Sequence, residues 1–280
     1  MTGTAQALSI LIPAHNEAEE LPATFEALLG SDPPHLPVEV VVVSNGSRDG
    51  TAEVARGFLD AFAEKGWRLT VLDLPEGSKV RALSAGDRTA RGDIRIYVDA
   101  DIGVSSGLVA TLARVLDRPE PAYASGRPEP VRARSVLARA YTRLWLRVPF
   151  MAHGVPGCGV FAMNKAGRDR WGDWPDIIGD DAFARLQFAP HERHLVEDSY
   201  TYPMAEVLPR IARVRRRQNQ GMDEIKARFP ELLRNEDKVS LGLRGIAGLA
   251  LRDPLGFATY AGVSLAVRFM PWDGTWTRGR

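Results

Sequence analysis

The sequence predicts an α/β fold, a doubly wound and mostly parallel sheet with a mainly helical C-terminal extension, and three observations carry that expectation. Leu8 to Ile12 and Val38 to Val43 are near-continuous aliphatic runs, the composition of strands buried on both faces of a parallel sheet. Segments of helical period separate such runs, so that strand and helix alternate four times within about 110 residues. The run Ile94 to Val98 closes on Asp99-Ala100-Asp101, and open sheets of this kind bind ligands outside the carboxyl ends of their strands.

The elements follow in order. After the first strand, Leu21, Phe25, Leu28 and Leu29 fall on one helical face, with Gly30 as the stop. A second helix is expected from Thr51 towards Lys65, capped by Asp49, with Val54, Phe58 and Phe62 at helical spacing. Trp67 to Leu72 reads as a strand, Arg81 to Thr89 as a helix and Ile94 to Val98 as the strand that delivers the two aspartates. Ser106 to Leu116 is a helix and Ala122 to Gly126 a strand by the same criteria. Arg134 to Val148 is amphipathic, with Leu137, Tyr141, Leu144 and Val148 opposite Arg139, Arg143 and Arg147, and ends at Pro149. Val160 to Met163 reads as a strand, Asp180 to Phe188 as a helix opened by acidic residues, and Ala205 to Gln220 as a strongly basic helix. The tail from Val239 to Met270 forms two apolar helical segments split at Asp253-Pro254. The expected domains are 1–220, divided into halves 1–105 and 106–220, and a helical extension 221–280.

Composition narrows the function classes. A chain of 280 residues can bury a core of its own. The net charge of +1 supplies no field to recruit nucleic acid. Cys158 is the one cysteine and has no zinc-type neighbours, so a reducing cytoplasm is expected. The start, Met1-Thr2-Gly3-Thr4-Ala5-Gln6, shows no basic region followed by a long apolar stretch, and no secretion signal is expected. The apolar stretch Leu255 to Val267 is shorter than the roughly 20 residues a spanning helix needs.

If Ile94 to Val98 is a strand, Asp99 and Asp101 leave it on one side. Two such carboxylates can hold Mg²⁺ or Mn²⁺, whose remaining positions are filled by water and phosphate. Neither a Gly-x-Gly-x-x-Gly turn nor a Gly-Lys-Ser/Thr cradle follows the first strand, which argues against dinucleotide dehydrogenases and P-loop enzymes.

Four segments taken together carry a resemblance: Pro13-Ala14-His15-Asn16-Glu17, Val43-Ser44-Asn45-Gly46-Ser47-Arg48-Asp49-Gly50-Thr51, Lys79-Val80-Arg81-Ala82-Leu83-Ser84-Ala85-Gly86, and Gly92-Asp93 leading to Asp99-Ala100-Asp101. In this order and spacing the first hundred residues resemble the family-2 glycosyltransferases of GT-A fold. The resemblance implies a metal-dependent, inverting transfer of one sugar from a nucleoside diphosphate-sugar to an acceptor hydroxyl. The acceptor is expected to be lipid-linked or small, in bacterial glycoconjugate or cell-envelope synthesis. It implies that Pro13, Ala14, His15 and Glu17 border the nucleoside, that Asn45 reaches the base, and that Lys79, Arg81, Asp99 and Ala100 contact the donor. Asp101 would hold Mg²⁺ or Mn²⁺. Ser44-Asn45 replaces two acidic residues of the family pattern, which leaves a UDP-sugar as the first expectation and a GDP-sugar as the second.

Ile178-Gly179-Asp180-Asp181-Ala182-Phe183 resembles the family segment that supplies the base, implying Asp181 in that role with Asp180 second; an N-cap is the alternative for either. Gly157-Cys158-Gly159 would form a close-approach loop beside the acceptor. Arg216 and Arg217 would reach the donor phosphates, while the missing tryptophan of the motif Gln-x-x-Arg-Trp argues against a processive synthase. His15 and Asn16 also read as helix caps before Glu19, and Trp171 and Trp174 as packing or as sugar-stacking residues. The stripe Arg139, Arg143, Arg147 has two readings: a face in water, or, with the tail 255–267, a peripheral contact with an anionic membrane at the inner face of the plasma membrane. The rival functions are a nucleotidyltransferase, which should carry a glycine-rich basic loop after the first strand, and a non-catalytic nucleotide-sugar-binding protein without a working base.

Overall fold

The computed structural model describes residues 5–239 and 241–270. Met1 to Thr4, part of the start in which no signal is expected, lie outside the described residues. In chain order the elements are β1 (Leu8–Ala14), α1 (Leu21–Leu29), β2 (Val38–Asn45), α2 (Thr51–Arg56), α3 (Leu59–Glu64), β3 (Arg68–Leu74), α4 (Lys79–Thr89), β4 (Ile94–Val98), α5 (Leu108–Leu116) and β5 (Tyr123–Pro130). There follow α6 (Val136–Trp145), α7 (Pro149–His153), β6 (Val160–Asn164), α8 (Lys165–Arg168), α9 (Asp180–Leu186), β7 (Arg193–Tyr202), α10 (Leu208–Arg228), α11 (Leu243–Arg252) and α12 (Pro254–Phe269).

These elements form two compact units. Of the described residues, the first comprises 5–129, 157–176 and 187–202; the second comprises 130–156, 177–186, 203–239 and 241–270. Residue 220, the expected end of the larger domain, falls inside α10.

The first unit holds a seven-stranded sheet of order β3-β2-β1-β4-β6-β5-β7. β1 pairs in parallel with β2 and β4, and β2 with β3, so the aliphatic runs form the parallel part. Their continuity has a direct cause: both faces are covered. Ile10, Ile12, Val40, Val42, Ile96 and Val98 pack with Leu21, Phe25 and Leu112 on one face, while Val41 and Val43 pack with Ala82 of α4 on the other. Each such side chain contributes about 1.5–3 kcal/mol when fully buried.

β6 runs antiparallel to β4 and β5. It starts where β4 ends, Val160 pairing with Val98, which brings the turn before it to the carboxyl end of β4. β7 was not expected from sequence. It lies at the sheet edge, where one face is enough to fasten it: Val196 and Tyr200 are buried and Glu197 is exposed.

Several boundaries differ from expectation, α10 running on to Arg228 past the expected Gln220 among them. The helix expected from Thr51 to Lys65 breaks into α2 and α3, because the Gly57 N–H closes on the Glu53 and Val54 carbonyls and Phe58 turns edge-on to Phe25, centroids 5.0 Å apart. α6 starts two residues later than expected, at the Ser135 cap whose Oγ accepts from the Ala138 N–H, and stops at Trp145. Pro149 opens α7 rather than ending α6, in the first turn where its missing N–H costs nothing.

In the second unit, α12 packs Val263 and Val267 against Ala138 and Tyr141 of α6 and Ile211 and Ala212 of α10. The arginine stripe of α6 is not simply a solvated face. The Arg143 Nε and Nη2 donate to Asp253 at 3.2 Å each, and Arg147 Nη1 lies 3.6 Å from the same carboxylate. Asp253 also accepts from the Gly256 N–H at 2.9 Å and so caps α12. One carboxylate thus fastens the stripe to the helix it starts.

Candidate functional site

The carboxyl ends of β1, β2 and β3 are joined by a dense set of hydrogen bonds around Asn45. This side chain is 4% exposed. Its Nδ2 donates to the Ala14 carbonyl at 2.7 Å, and its Oδ1 accepts from the Ser78 N–H at 3.0 Å. Asn45 therefore ties the end of β1, where Pro13 pairs with Val43, to the start of α4. An aspartate here would have no N–H for the Ala14 carbonyl, so the amide serves this geometry better than the acid of the family pattern.

His15 and Asn16 extend the same network. His15 Nδ1 lies 2.6 Å from the Asn45 carbonyl and its Nε2 is 3.1 Å from Asn16 Nδ2. The carbonyl can only accept, so Nδ1 carries the proton and Nε2 accepts from the amide. Asn16 takes a left-handed conformation, φ 53°, and its Oδ1 accepts from the Arg48 N–H at 2.8 Å. The sequence also allows both as caps of the following helix. The N-cap position of α1 is Glu20, without a side-chain cap bond, and His15 and Asn16 bind the neighbouring strand-end loop instead.

Glu17 is buried, its N–H donating to Thr51 Oγ1 at 2.9 Å. Asp49 stands one residue before the N-cap, Gly50, and accepts from the N–H groups of Thr51 and Ala18 and from the Thr51 hydroxyl. Burial pushes the Asp49 carboxyl up, but these hydrogen bonds outweigh it and leave its pKa lowered.

A cavity of about 750 Å³ opens over this framework, lined in part by His15, Asn16, Ser47, Arg48 and the segment 73–77. The loop from Gly77 is expected from the sequence, whereas Asp73 to Glu76 are not. The Pro75-Glu76-Gly77 turn directly after an aliphatic run was the available signal.

At the other edge of this end, Lys79 in the first turn of α4 places Nζ 2.9 Å from Asp99 Oδ1. Arg81, two residues on, forms an exposed ion pair with Glu76. The Asp99-Ala100-Asp101 turn is held by its backbone. The Asp99 N–H donates to the Gly159 carbonyl at 2.9 Å, and buried Ala100 accepts from Thr24 Oγ1 at 2.8 Å. Asp101 follows half-buried.

Gly157 and Gly159 both have positive φ, 68° and 78°. A Cβ on Gly157 would lie 1.9 Å from the Tyr123 hydroxyl, and one on Gly159 2.9 Å from Ile102 Cδ1. Glycine is needed for the conformation and for the close approach that lets the 159 carbonyl reach Asp99. Cys158 between them is half-buried, its carbonyl accepting from the Tyr200 hydroxyl at 2.6 Å. Burial, with Cys158 beside it, pushes the Tyr200 phenol well above its ordinary value.

Behind the site, Asp87 of α4 gathers a buried network that sequence reading did not find. It accepts from the Tyr97 hydroxyl, Arg95 Nη1, Arg168 Nε and the Trp174 indole N–H at 2.6–2.9 Å. Burial, reinforced by the Asp87 charge, pushes the Tyr97 phenol well above its ordinary value. Trp174 is buried in this network, and Trp171 lies under the Arg168 guanidinium and edge-on to Trp174, which makes both packing residues.

In the second unit, Asp180 and Asp181 occupy the first turn of α9. Asp180 is buried, and Asp181 is half-buried with Oδ1 accepting from the Ala182 N–H at 2.7 Å. The start of this helix is pressed on α10. A Cβ on Gly221 would lie 2.8 Å from the Gly179 nitrogen, and the Ile178 N–H donates to Glu224 at 2.9 Å. On α10, Arg216 Nε donates to the Met270 carbonyl at 3.0 Å, and Arg215 stacks on Tyr260; Arg217 is half-buried.

The donor set at the end of β4 suits a hard cation shared with a substrate. Among the described residues no group of three or more His, Cys, Asp or Glu side chains could hold a metal ion. One or two carboxylates fit Mg²⁺ or Mn²⁺, which keep water and phosphate oxygens, and do not make a zinc or calcium cage.

A mixed α/β sheet with a carboxylate pair at the end of a central strand, next to a cavity over the carboxyl ends of its parallel strands, is the architecture of the GT-A glycosyltransferases. Residues 9–166 match the profile of Glycosyl transferase family 2, and the chain belongs to that family. It is 36% identical over 101 residues to glycosyltransferase AglE of Haloferax volcanii, covering 36% of this chain and 32% of that protein. It is 35% identical over 101 residues to a dolichyl-phosphate beta-glucosyltransferase of Drosophila melanogaster, covering 34% of this chain and 30% of the relative. The chain thus matches about a third of the length of these curated relatives. In fold it is similar to the mannosyltransferase PcManGT of Pyrobaculum calidifontis, solved with GDP-Man and Mn²⁺, at a TM-score of 0.58 and 22% identity, covering 95% of this chain and 76% of that one. Among the described residues no helix is long and apolar enough to cross a membrane.

Proposed function

We propose that this protein is a metal-dependent, inverting glycosyltransferase that moves a single sugar from a nucleoside diphosphate-sugar to an acceptor hydroxyl. The observation that carries the reading is the Lys79–Asp99 ion pair beside Asp101, at the edge of a sheet end whose loops are laced together by Asn45. A cation and two carboxylates at one strand end provide what a diphosphate and its counter-ion require.

His15, Glu17 and the loop around Asn45 border the nucleoside, with Asn45 acting as the tie that shapes this wall. Lys79 and Arg81 offset donor charge, and Asp99 faces the ribose. Asp101 is the residue that would hold Mg²⁺ or Mn²⁺, an ion that would offset the charge of the departing diphosphate when bound. Asp181 takes the proton from the acceptor hydroxyl as the general base, its start of helix steadied by Gly179 against Gly221. Asp180, buried beside it, is the second candidate. Gly157, Cys158 and Gly159 shape the acceptor side of the Asp99 turn, and Arg216 and Arg217 are the basic candidates for phosphate, the Arg216 Nε also donating to the Met270 carbonyl.

The lipid phosphate named for the fly relative supports a lipid-linked acceptor, and such an acceptor calls for a cytoplasmic enzyme working at the inner face of a membrane. A bacterial glycoconjugate or cell-envelope product fits that setting. A UDP-sugar and a GDP-sugar are the two donors to test. Thermal-shift measurements with UDP, GDP, CMP and dTDP, each with and without Mn²⁺, decide the donor reading. A metal-dependent rise in Tm with UDP or GDP is expected; no stabilisation by any of them with Mn²⁺ overturns it.

A further inference from the structure

The C-terminal helices of the second unit are built unlike the surface helices of a water-soluble fold. α12 uses one apolar face for packing, with Gly256, Thr259, Val263 and Val267 buried. Its opposite face is apolar as well: Leu255, Ala258, Ala261, Leu265, Ala266 and Phe269 are exposed, Leu265 at 57% and Phe269 at 80%. A helix whose outer face meets water ordinarily carries charge there; one that is apolar all round is covered by something. α11 has no buried residue at all. Leu243, Ala247 and Leu251 recur at four-residue spacing along its exposed side, with Leu243 at 87% and Leu251 at 82%, and Ile246 falls beside them.

Charge identifies the occupant. From residue 241 to 270 the charged residues are Arg244, Arg252, Asp253 and Arg268. The one acid is buried and bound to Arg143 and Arg147, so the exposed charges of the two helices are three arginines and nothing negative. Apolar faces edged only by arginine fit an anionic lipid surface, into which leucine and phenylalanine insert while guanidinium groups stay at the headgroups. A second protein copy would bring arginine against arginine. Neither helix can span the bilayer: α12, at 16 residues, extends about 24 Å at 1.5 Å per residue.

We propose that α11 and α12 form a bilayer-docking surface that lies in the interface of anionic phospholipid membranes through Leu243, Leu251, Leu255, Leu265 and Phe269. This deepens the peripheral location in the reading above and rests on it for its biological purpose, but its physical basis is the exposed faces alone. The arginine stripe 139–147 is not counted in the surface: Arg143 and Arg147 are exposed but pair with Asp253.

The test is co-sedimentation of the full chain with vesicles of phosphatidylcholine alone and of phosphatidylcholine with phosphatidylglycerol. Wild-type protein should bind the anionic vesicles at low salt at least tenfold more tightly than the neutral ones. Leu265→Asp/Phe269→Asp should lower binding to anionic vesicles at least tenfold, and so should Leu243→Asp/Leu251→Asp. Arg244→Gln/Arg252→Gln/Arg268→Gln should reduce the preference for anionic over neutral vesicles. Tm and the Mn²⁺-dependent nucleotide shift, read on the same samples, should stay unchanged, so that loss of lipid binding is separated from loss of fold or of the donor site. No vesicle binding by wild type, or binding unaltered in both aspartate pairs, overturns the proposal. So does light scattering that shows a dimer which the aspartate pairs dissociate while vesicle binding is absent, because the faces then cover each other.

Discussion

Lys79 Nζ and Asp99 Oδ1 stand 2.9 Å apart, joining the first turn of α4 to the carboxyl end of β4. Both side chains are more than a third exposed, 36% and 39%, so water screens the pair and its share of stability is at most about 1 kcal/mol. The value of the contact lies in where it holds a cation. Lys79→Met should lower Tm by only a few degrees but raise the Kd for a nucleoside diphosphate about tenfold, a difference of about 1.4 kcal/mol. Calorimetric titration measures this, and an unchanged Kd would remove Lys79 from the donor site.

Asp101 and Asp181 should separate by role. Asp181→Asn should reduce kcat by about 10²–10⁴-fold while nucleotide affinity stays within about twofold, as for loss of a general base. Asp101→Asn should instead abolish the Mn²⁺ dependence of nucleotide binding. Equal loss of binding in both variants contradicts the assignment.

Asp87→Asn tests the buried network behind the site. The substitution leaves Arg168 and Arg95 facing a neutral amide in a buried place, and breaking such a pair costs about 3–5 kcal/mol. Denaturant unfolding should show a loss of that size. A change below about 1 kcal/mol would mean that the carboxylate is replaceable there.

Gly159→Ala combines a left-handed backbone with a close contact at Ile102. A loss of about 1–2 kcal/mol is expected from the conformation alone. Because the 159 carbonyl accepts from the Asp99 N–H, the variant should also weaken Mn²⁺-dependent nucleotide binding. Full retention of both Tm and binding would show that the turn adapts.

Asp253 links pH to the attachment of α12. Hydrogen bonds from Arg143 lead the causes that hold its carboxyl below the ordinary carboxylate value. With the folded pKa depressed, its contribution is complete above the unfolded value of about 3.9 and is lost as pH falls through the folded one. Asp253→Asn should therefore destabilise the protein by about 1 kcal/mol near neutrality, through the weakened cap and ion pairs, and flatten the dependence of Tm on pH below about 4. Parallel Tm curves for wild type and variant across that range would contradict it.

The sequence by itself determined the parallel half of the sheet and the position of Asp99 and Asp101, because those features are local. Strands covered on both faces must be aliphatic throughout, as Leu8 to Ile12 and Val38 to Val43 are, and an acidic pair after such a run can only emerge at its carboxyl end. Helix ends set by nearby residues were also legible, Gly30 after α1 and Asp253-Pro254 between α11 and α12.

Only the tertiary structure decided what depends on partners far along the chain. Asn45 reads as a base contact until Ala14 and Ser78 are seen to take up its amide, 31 and 33 residues away. Asp87 is one helical aspartate among others until Tyr97, Arg168 and Trp174 converge on it. β6 is seen to run antiparallel only where it pairs with β4, and the arginine stripe gains its partner only from Asp253, 110 residues beyond Arg143. Periodicity reports which face of an element is apolar. It carries no information on which distant polar group will meet it, and a buried donor or acceptor is settled only by such a meeting.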